Sequence, residues 1–192
     1  MLVSFSVMAH PARAAMVDDM SVDFPVAWDD GGGVWDTAIR AWDLYDRSAL
    51  WHVVIQDDAI LCDDFVRRVE DFLNKESPEY PVSFYLGGGR PRQAEVHRIL
   101  AEQDQDDGRV LLPWCLWGVA ICLPTAHIAG VMDECDFFGP PQYDRRISGY
   151  YERRNINTVY PFPSLVDHRD DDSLIHSSVG VDRRALWFID GS

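Results

Sequence analysis

The sequence predicts one α/β domain over residues 1–192, a mostly parallel sheet flanked by helices. Short apolar runs alternate with stretches of helical periodicity, the pattern of strand–helix–strand units. No internal repeat and no linker divides the chain. Its 192 residues, 47% of them hydrophobic, suffice for one packed core.

The elements follow in order. Val3, Phe5 and Val7 mark a first strand, and Pro11 opens a short helix running to about Met20. The run 2–9 is too short to cross a bilayer and lacks the basic flank of a signal peptide. A second strand over 24–28 stops at Asp29-Asp30-Gly31-Gly32-Gly33, a turn signal. The next helix carries Val34, Trp35, Ala38, Ile39, Trp42 and Tyr45 on one stripe, with Arg40 off it. Trp51 begins a short apolar strand that ends at Gln56-Asp57-Asp58. Phe65, Val66, Val69, Phe72 and Leu73 share a helical face, which Asp63 or Asp64 is placed to cap. Further strands are expected over 82–86, 119–123 and near Val159, with helices over 124–132 and 143–153 and a loop over 137–142. From about residue 161 the chain reads as irregular.

Acidic residues outnumber basic ones 32 to 17, a formal net charge of −15. That field repels nucleic acid and anionic membranes. No apolar run reaches the roughly 20 residues of a transmembrane helix. Lys75 is the only lysine and falls near the end of a predicted helix, which speaks against Schiff-base and P-loop chemistry, and the remaining 16 bases are arginines suited to bidentate phosphate contacts. Cys62, Cys115, Cys122 and Cys135 form no C-x-x-C pair and read as reduced thiols of a cytoplasmic protein.

Three strand ends carry polar clusters: residues 10–13, Asp29-Asp30 and Asp57-Asp58. In an open α/β sheet, ligands bind beyond the carboxyl ends of the strands, so these clusters are expected to converge on one rim. Two adjacent carboxylates repel each other and are costly to bury. A hard divalent cation, Mn²⁺ or Mg²⁺, relieves that cost and can bridge to diphosphate oxygens. A strand end followed by a capped turn accounts for the same residues without a metal.

The Asp57-Asp58-Ala59 stretch after an apolar strand resembles the DxD-type motif of glycosyltransferases with the Rossmann-like GT-A fold. The resemblance extends to residues 4–13, Trp28-Asp29, Asp36-Thr37, Arg40-Ala41-Trp42, Trp117-Gly118 and residues 163–168. The pattern is similar to short bacterial and phage-encoded glycosyltransferases, and more loosely to the lipopolysaccharide glycosyltransferase family. The resemblance implies a nucleotide-diphosphate sugar donor, UDP-linked by expectation, and a hydroxyl acceptor on a glycan, lipid or protein. It implies that Ala9, His10 and Arg13 line the nucleotide, that Asp29 contacts the nucleoside, and that Arg40 lies near the phosphates or sugar. Asp57 would meet the ribose or sugar, Asp58 would ligate the metal, and His168 would complete the metal site, with His176 as the alternative. Gln56 occupies the first place of the motif, so the division of labour between Asp57 and Asp58 stays open.

Asp144 matches the late acid that serves as base in inverting enzymes of this fold, and it also reads as an acid favoured at a helix N-terminus. Glu152 is a weaker candidate, expected to pair with an arginine. Trp114 and Trp117 suit either sugar stacking or the core, with Trp117-Gly118 the better pocket candidate. The run 87–91, Gly-Gly-Gly-Arg-Pro, suits a phosphate loop or a plain connection, and Arg153-Arg154 and Arg183-Arg184 suit phosphate contacts or solvated surface. So short a chain leaves little room for an acceptor domain, so a partner or homo-oligomer is expected to contribute. The rival functions are a non-catalytic nucleotide- or sugar-binding module and a sugar-phosphate nucleotidyltransferase. The second is disfavoured because residues 10–13 lack the glycine-rich loop such enzymes place after strand one.

Overall fold

The computed structural model describes residues 2–88, 92–103, 108–135, 143–169 and 183–190. The expected 137–142 loop and His176 lie outside these residues. Seven strands form one sheet: β1 (Val3–Ala9), β2 (Val26–Trp28), β3 (Trp51–Gln56), β5 (Val82–Ser83), β6 (Arg109–Leu112), β7 (Ala120–Pro124) and β8 (Thr158–Pro161). Their spatial order is β2-β1-β3-β7-β5-β8-β6. Two further strands, β4 (Ala59–Leu61) and β9 (Val166–His168), pair antiparallel as a separate ribbon.

The sheet is mixed, which corrects the expectation of a mostly parallel one. β1 pairs parallel with β2 and β3, and β5 with β8. β7 runs antiparallel to both β3 and β5, and β6 antiparallel to β8. An apolar strand buried on both faces has the same composition whichever way it points, so direction was not legible in residues 119–123.

Helices cover both faces. Along β1 and β3, alternate residues face opposite sides of the sheet. Phe5, Val7, Val53 and Ile55 pack with Phe65, Val69 and Leu73 of helix α3 (Phe65–Leu73). Met8 and Val54 pack with Ala38, Ala41 and Trp42 of α2 (Val34–Asp43) and with Ile128, Val131 and Ile147. The last three come from α5 (Thr125–Cys135) and α6 (Tyr143–Glu152). The first helical stretch divides into a 3-10 turn, Pro11–Arg13, and α1 (Ala14–Asp19). The helix after the glycine run is α4 (Gln93–Glu102).

Two local expectations are corrected. Asp64 occupies the N-cap position of α3 with left-handed backbone, and its carboxylate pairs with Arg67 at 3.0 Å instead of capping. The C-terminal part is not wholly irregular: β9 pairs with β4, and residues 183–190 return to the body. There, Leu186 N–H donates to Leu86 O at 2.8 Å, and Ser164 N–H donates to Trp187 O at 2.8 Å.

One buried polar group fastens the sheet to α2. His52 is fully buried on β3, with Nδ1 2.9 Å from Ser4 Oγ and Nε2 3.1 Å from Ala41 O. A neutral ring with its proton on Nε2 satisfies both contacts, an assignment made from the hydrogen-bond network. Burial lowers the His52 pKa to about 4.

Candidate functional site

The registers fix the site. Ala9 is paired with Trp28 and Met8 with Gln56, so β1, β2 and β3 end on one rim. β1 lies between β2 and β3, so the chain leaves β1 towards one side and returns on the other. A crevice opens where strand order reverses in this way. It is about 360 Å³, at the lower end of small-molecule sites. Ala9 of β1 lines it with His10 and Arg13 just beyond, as do Asp29 directly after β2 and Gln56 of β3 with Asp57 and Asp58 directly after it. Gly33, Val34 and Thr37 at the start of α2, His168 of β9 and Arg183 complete the lining with Met8. The three polar strand ends do converge.

The carboxylate pair is buried and asymmetric. One Arg13 nitrogen donates to Asp57 Oδ1 at 2.9 Å and to Asp58 Oδ2 at 2.5 Å. Only about a tenth of each of the three side chains is exposed. Asp57 Oδ2 accepts the backbone N–H of His10 at 2.8 Å, so both Asp57 oxygens are engaged. Asp58 Oδ1 is buried with no hydrogen-bond partner among the described residues. Burial raises the Asp57 carboxyl above its ordinary range, against the hydrogen bonds from His10 and Arg13. Burial also opposes ionisation of Asp58, but His168 and Arg13 outweigh it and hold that carboxyl low.

His168 reaches this pair through the β4–β9 ribbon. Ala59, directly after the carboxylates, is in register with His168. His168 Nδ1 lies against its neighbour's carbonyl, Arg169 O, which accepts a hydrogen bond from it. Nε2, 3.4 Å from Asp58 Oδ2, then donates to the carboxylate when the ring is protonated, as the lowered Asp58 carboxyl requires, and turns a lone pair towards it when the ring is neutral. A lone pair facing a carboxylate needs a proton or a cation between them.

Two further polar side chains border the crevice. Asp29 Oδ1 accepts the N–H groups of Gly31 at 2.9 Å and Gly33 at 3.1 Å, which lower its pKa and fix the turn into α2. His10 Nδ1 accepts from Ala12 N–H at 3.2 Å, leaving Nε2 of the neutral ring as an exposed donor.

Other sequence-predicted residues lie off the cleft. Arg40 is held by Asp36 at 3.0 Å and Asp30 at 3.1 Å and does not line the crevice. Trp117, Gly118 and Asp144 form a neighbouring cluster. Trp117 has left-handed backbone at φ 60°, and its N–H hydrogen-bonds to Asp144. Tyr143 donates its hydroxyl proton to Gly118 O, and a Cβ on Gly118 would come within 2.4 Å of the Tyr143 ring. Burial raises the Asp144 carboxyl above its usual range, against hydrogen bonds from Arg145 and Trp117. The Trp117 ring meets Tyr85 edge-on at 6.0 Å, and Tyr85 lies 6.3 Å from the His168 ring, which links this cluster to the cleft. Glu152 accepts from Ser148 Oγ at 2.5 Å, where sequence spacing had pointed to an arginine. The Arg92 guanidinium covers Trp114 at 4.3 Å.

Arg183, open in the sequence to phosphate contact or solvated surface, lines the crevice. Its neighbour Arg184 pairs with the buried Asp167 at 2.5 Å, and Ala185 N–H donates to the same carboxylate at 2.6 Å. Asp167 precedes the candidate ligand His168, so that adjacency was the available signal.

No protein-family model and no curated protein matches the chain. Among solved structures it is similar to one described as a glucose-1-phosphate thymidylyltransferase from Bacillus anthracis, in complex with sucrose. That match has 13% identity over 86% of this chain and 89% of the other, with a TM-score of 0.46. A197 from STIV is similar at 10% identity over 89% and 87% of the two chains, with a TM-score of 0.48. The resemblance is distant. It names no family for the chain, which stands as an α/β fold with a mixed sheet between helices. No described helix is long and apolar enough to cross a membrane.

Proposed function

We propose that the cleft binds a nucleotide-diphosphate sugar together with a divalent cation, and that the protein transfers the sugar to a hydroxyl acceptor. The observation that carries this reading is the buried Asp57–Asp58 pair at the sheet rim, with Asp58 Oδ1 unpartnered among the described residues and His168 Nε2 3.4 Å from the other oxygen, Asp58 Oδ2.

The residues fit a hard cation in one specific way. Among the described residues, no cluster of three or more His, Cys, Asp or Glu side chains is arranged to hold a metal alone. Mg²⁺ and Mn²⁺ commonly take one or two protein ligands and complete their shell with substrate phosphates and water. Asp58 and His168 would supply the protein ligands. When bound, the cation offsets charge developing on the departing diphosphate. Arg13 and Arg183 line the crevice and would offer guanidinium groups to phosphate oxygens, and Asp29 and His10 would face the nucleoside.

In the net reaction, the acceptor oxygen bonds to the anomeric carbon as the bond from that carbon to the diphosphate breaks. The acceptor proton is released, and Asp144 is the candidate to take it. A non-catalytic binding module is favoured by one observation: Asp144 does not line the crevice. A thermal-stability screen of nucleotide sugars, with and without Mn²⁺, tests the binding step. A ligand at 100 times its Kd adds about 2.7 kcal/mol. Stabilisation that needs Mn²⁺, followed by nucleotide release on adding acceptors, supports the enzyme. Binding without metal-dependent release supports the module, and no stabilisation by any nucleotide sugar rejects both.

A further inference from the structure

We infer that Arg13 is a placeholder cation: its guanidinium neutralises the carboxylate pair and yields Asp58 to a divalent ion only when a diphosphate draws it away. The inference rests on the proposed nucleotide-sugar reading and adds an order to it, in which metal and diphosphate bind together and neither binds well alone.

The geometry carries the argument. A single Arg13 nitrogen bridges Asp57 Oδ1 at 2.9 Å and Asp58 Oδ2 at 2.5 Å. That bridging position is the one a small cation would take between two carboxylates. Asp58 Oδ2 is also the oxygen facing His168 Nε2, at 3.4 Å. A divalent ion held by Asp58 and His168 would therefore lie against the guanidinium, and two positive groups at that spacing repel strongly in a site so little exposed. Arg13 must move for the ion to enter.

Arg13 also borders the space a diphosphate would enter. It is the last residue of the 3-10 turn, and its backbone, at φ −112° and ψ 19°, leaves the helical region before α1 begins. A phosphate pair would offer the planar fork a bidentate, charge-assisted partner. Asp57 keeps the His10 N–H after the exchange, and Asp58 gains the ion. Thermodynamic linkage then requires the diphosphate to tighten the metal and the metal to tighten the diphosphate by the same factor.

The test is a Mn²⁺ titration of the full chain by calorimetry, alone and with saturating UDP, with Mn²⁺–UDP association in buffer subtracted. Wild type is compared with Arg13→Met and Arg13→Gln. The placeholder role predicts that UDP tightens Mn²⁺ binding to wild type at least about tenfold, within the usual range of coupling between sites. Arg13→Met should bind Mn²⁺ alone at least tenfold more tightly than wild type, and UDP should then add less than threefold. Unchanged or weaker Mn²⁺ binding in both variants, or undiminished UDP coupling, overturns it. If the variants unfold, cooperative folding restored by millimolar Mn²⁺ supports the role, and chains unfolded with and without Mn²⁺ overturn it. A variant that gains Mn²⁺ while wild type binds no UDP keeps the placeholder and rejects the proposed function.

Discussion

The buried His52 makes stability depend on pH in a direction and size that can be worked out. In the fold its pKa lies at about 4, whereas an unfolded histidine titrates near about 6.5. At pH 7.5 the ring is neutral in both states and contributes no pH dependence. As pH falls below the unfolded value, the unfolded chain takes up a proton that the native ring refuses, so stability falls. At pH 4.5 the two titrations differ by about 2.5 kcal/mol, and by about 3.4 kcal/mol once both are protonated. Carboxylates add their own slope, so the group is isolated by comparison with His52→Gln, which keeps a hydrogen-bonding side chain and does not titrate. Urea unfolding of both proteins at pH 7.5 and 4.5 gives the double difference. Wild type should lose about 2–3 kcal/mol more than the variant over that interval. Parallel losses in the two proteins would refute a buried neutral ring. The same measurement probes the cleft's support, because Ser4, Ser6 and Ala41 tie β1 and α2 to this ring, and both elements deliver cleft residues.

Three substitutions bear on the neighbouring residues. Gly118→Ala places a methyl group within 2.4 Å of the buried Tyr143 ring and should cost about 1–3 kcal/mol, read as a lowered thermal midpoint; an unchanged midpoint would mean that the ring gives way freely. Arg40→Ala should leave nucleotide affinity within about threefold, since its partly exposed ion pairs contribute about 0–1 kcal/mol and it stands outside the crevice; a loss beyond tenfold would return it to the site. Asp144→Asn should lower turnover by about 10²–10⁴ while nucleotide binding holds, and near-normal turnover would move the base elsewhere.

Strand identity was legible where both sheet faces are buried, as in β1 and β3, because a short uninterrupted apolar run bounded by turn residues is the pattern such a strand leaves in the sequence. The convergence of His10 and Asp57-Asp58 was legible for the same reason, since each directly follows such a strand, and Asp29 was marked by the turn residues that end the less buried β2. The β4–β9 ribbon was not, since three residues carry too little periodicity and Ala59 finds His168 across more than a hundred positions. Arg183 is likewise far in sequence from the strand ends it joins at the rim. Arg40 illustrates a signal that was present and underused. Asp36 lies four residues before it on α2, the spacing of a surface helix pair, and that pair holds the guanidinium away from the crevice. The insertion of Arg13 between Asp57 and Asp58 depends on the turn after β1 and could not be read from spacing.

Electron spin-echo spectroscopy of Mn²⁺ bound with UDP asks directly which atoms surround the ion. The account predicts phosphorus couplings from the diphosphate together with a nitrogen coupling from one imidazole. In His168→Ala the nitrogen signal should vanish and the phosphorus signals remain. Nucleotide bound without Mn²⁺ at saturating metal, or a nitrogen coupling that survives His168→Ala, would contradict it.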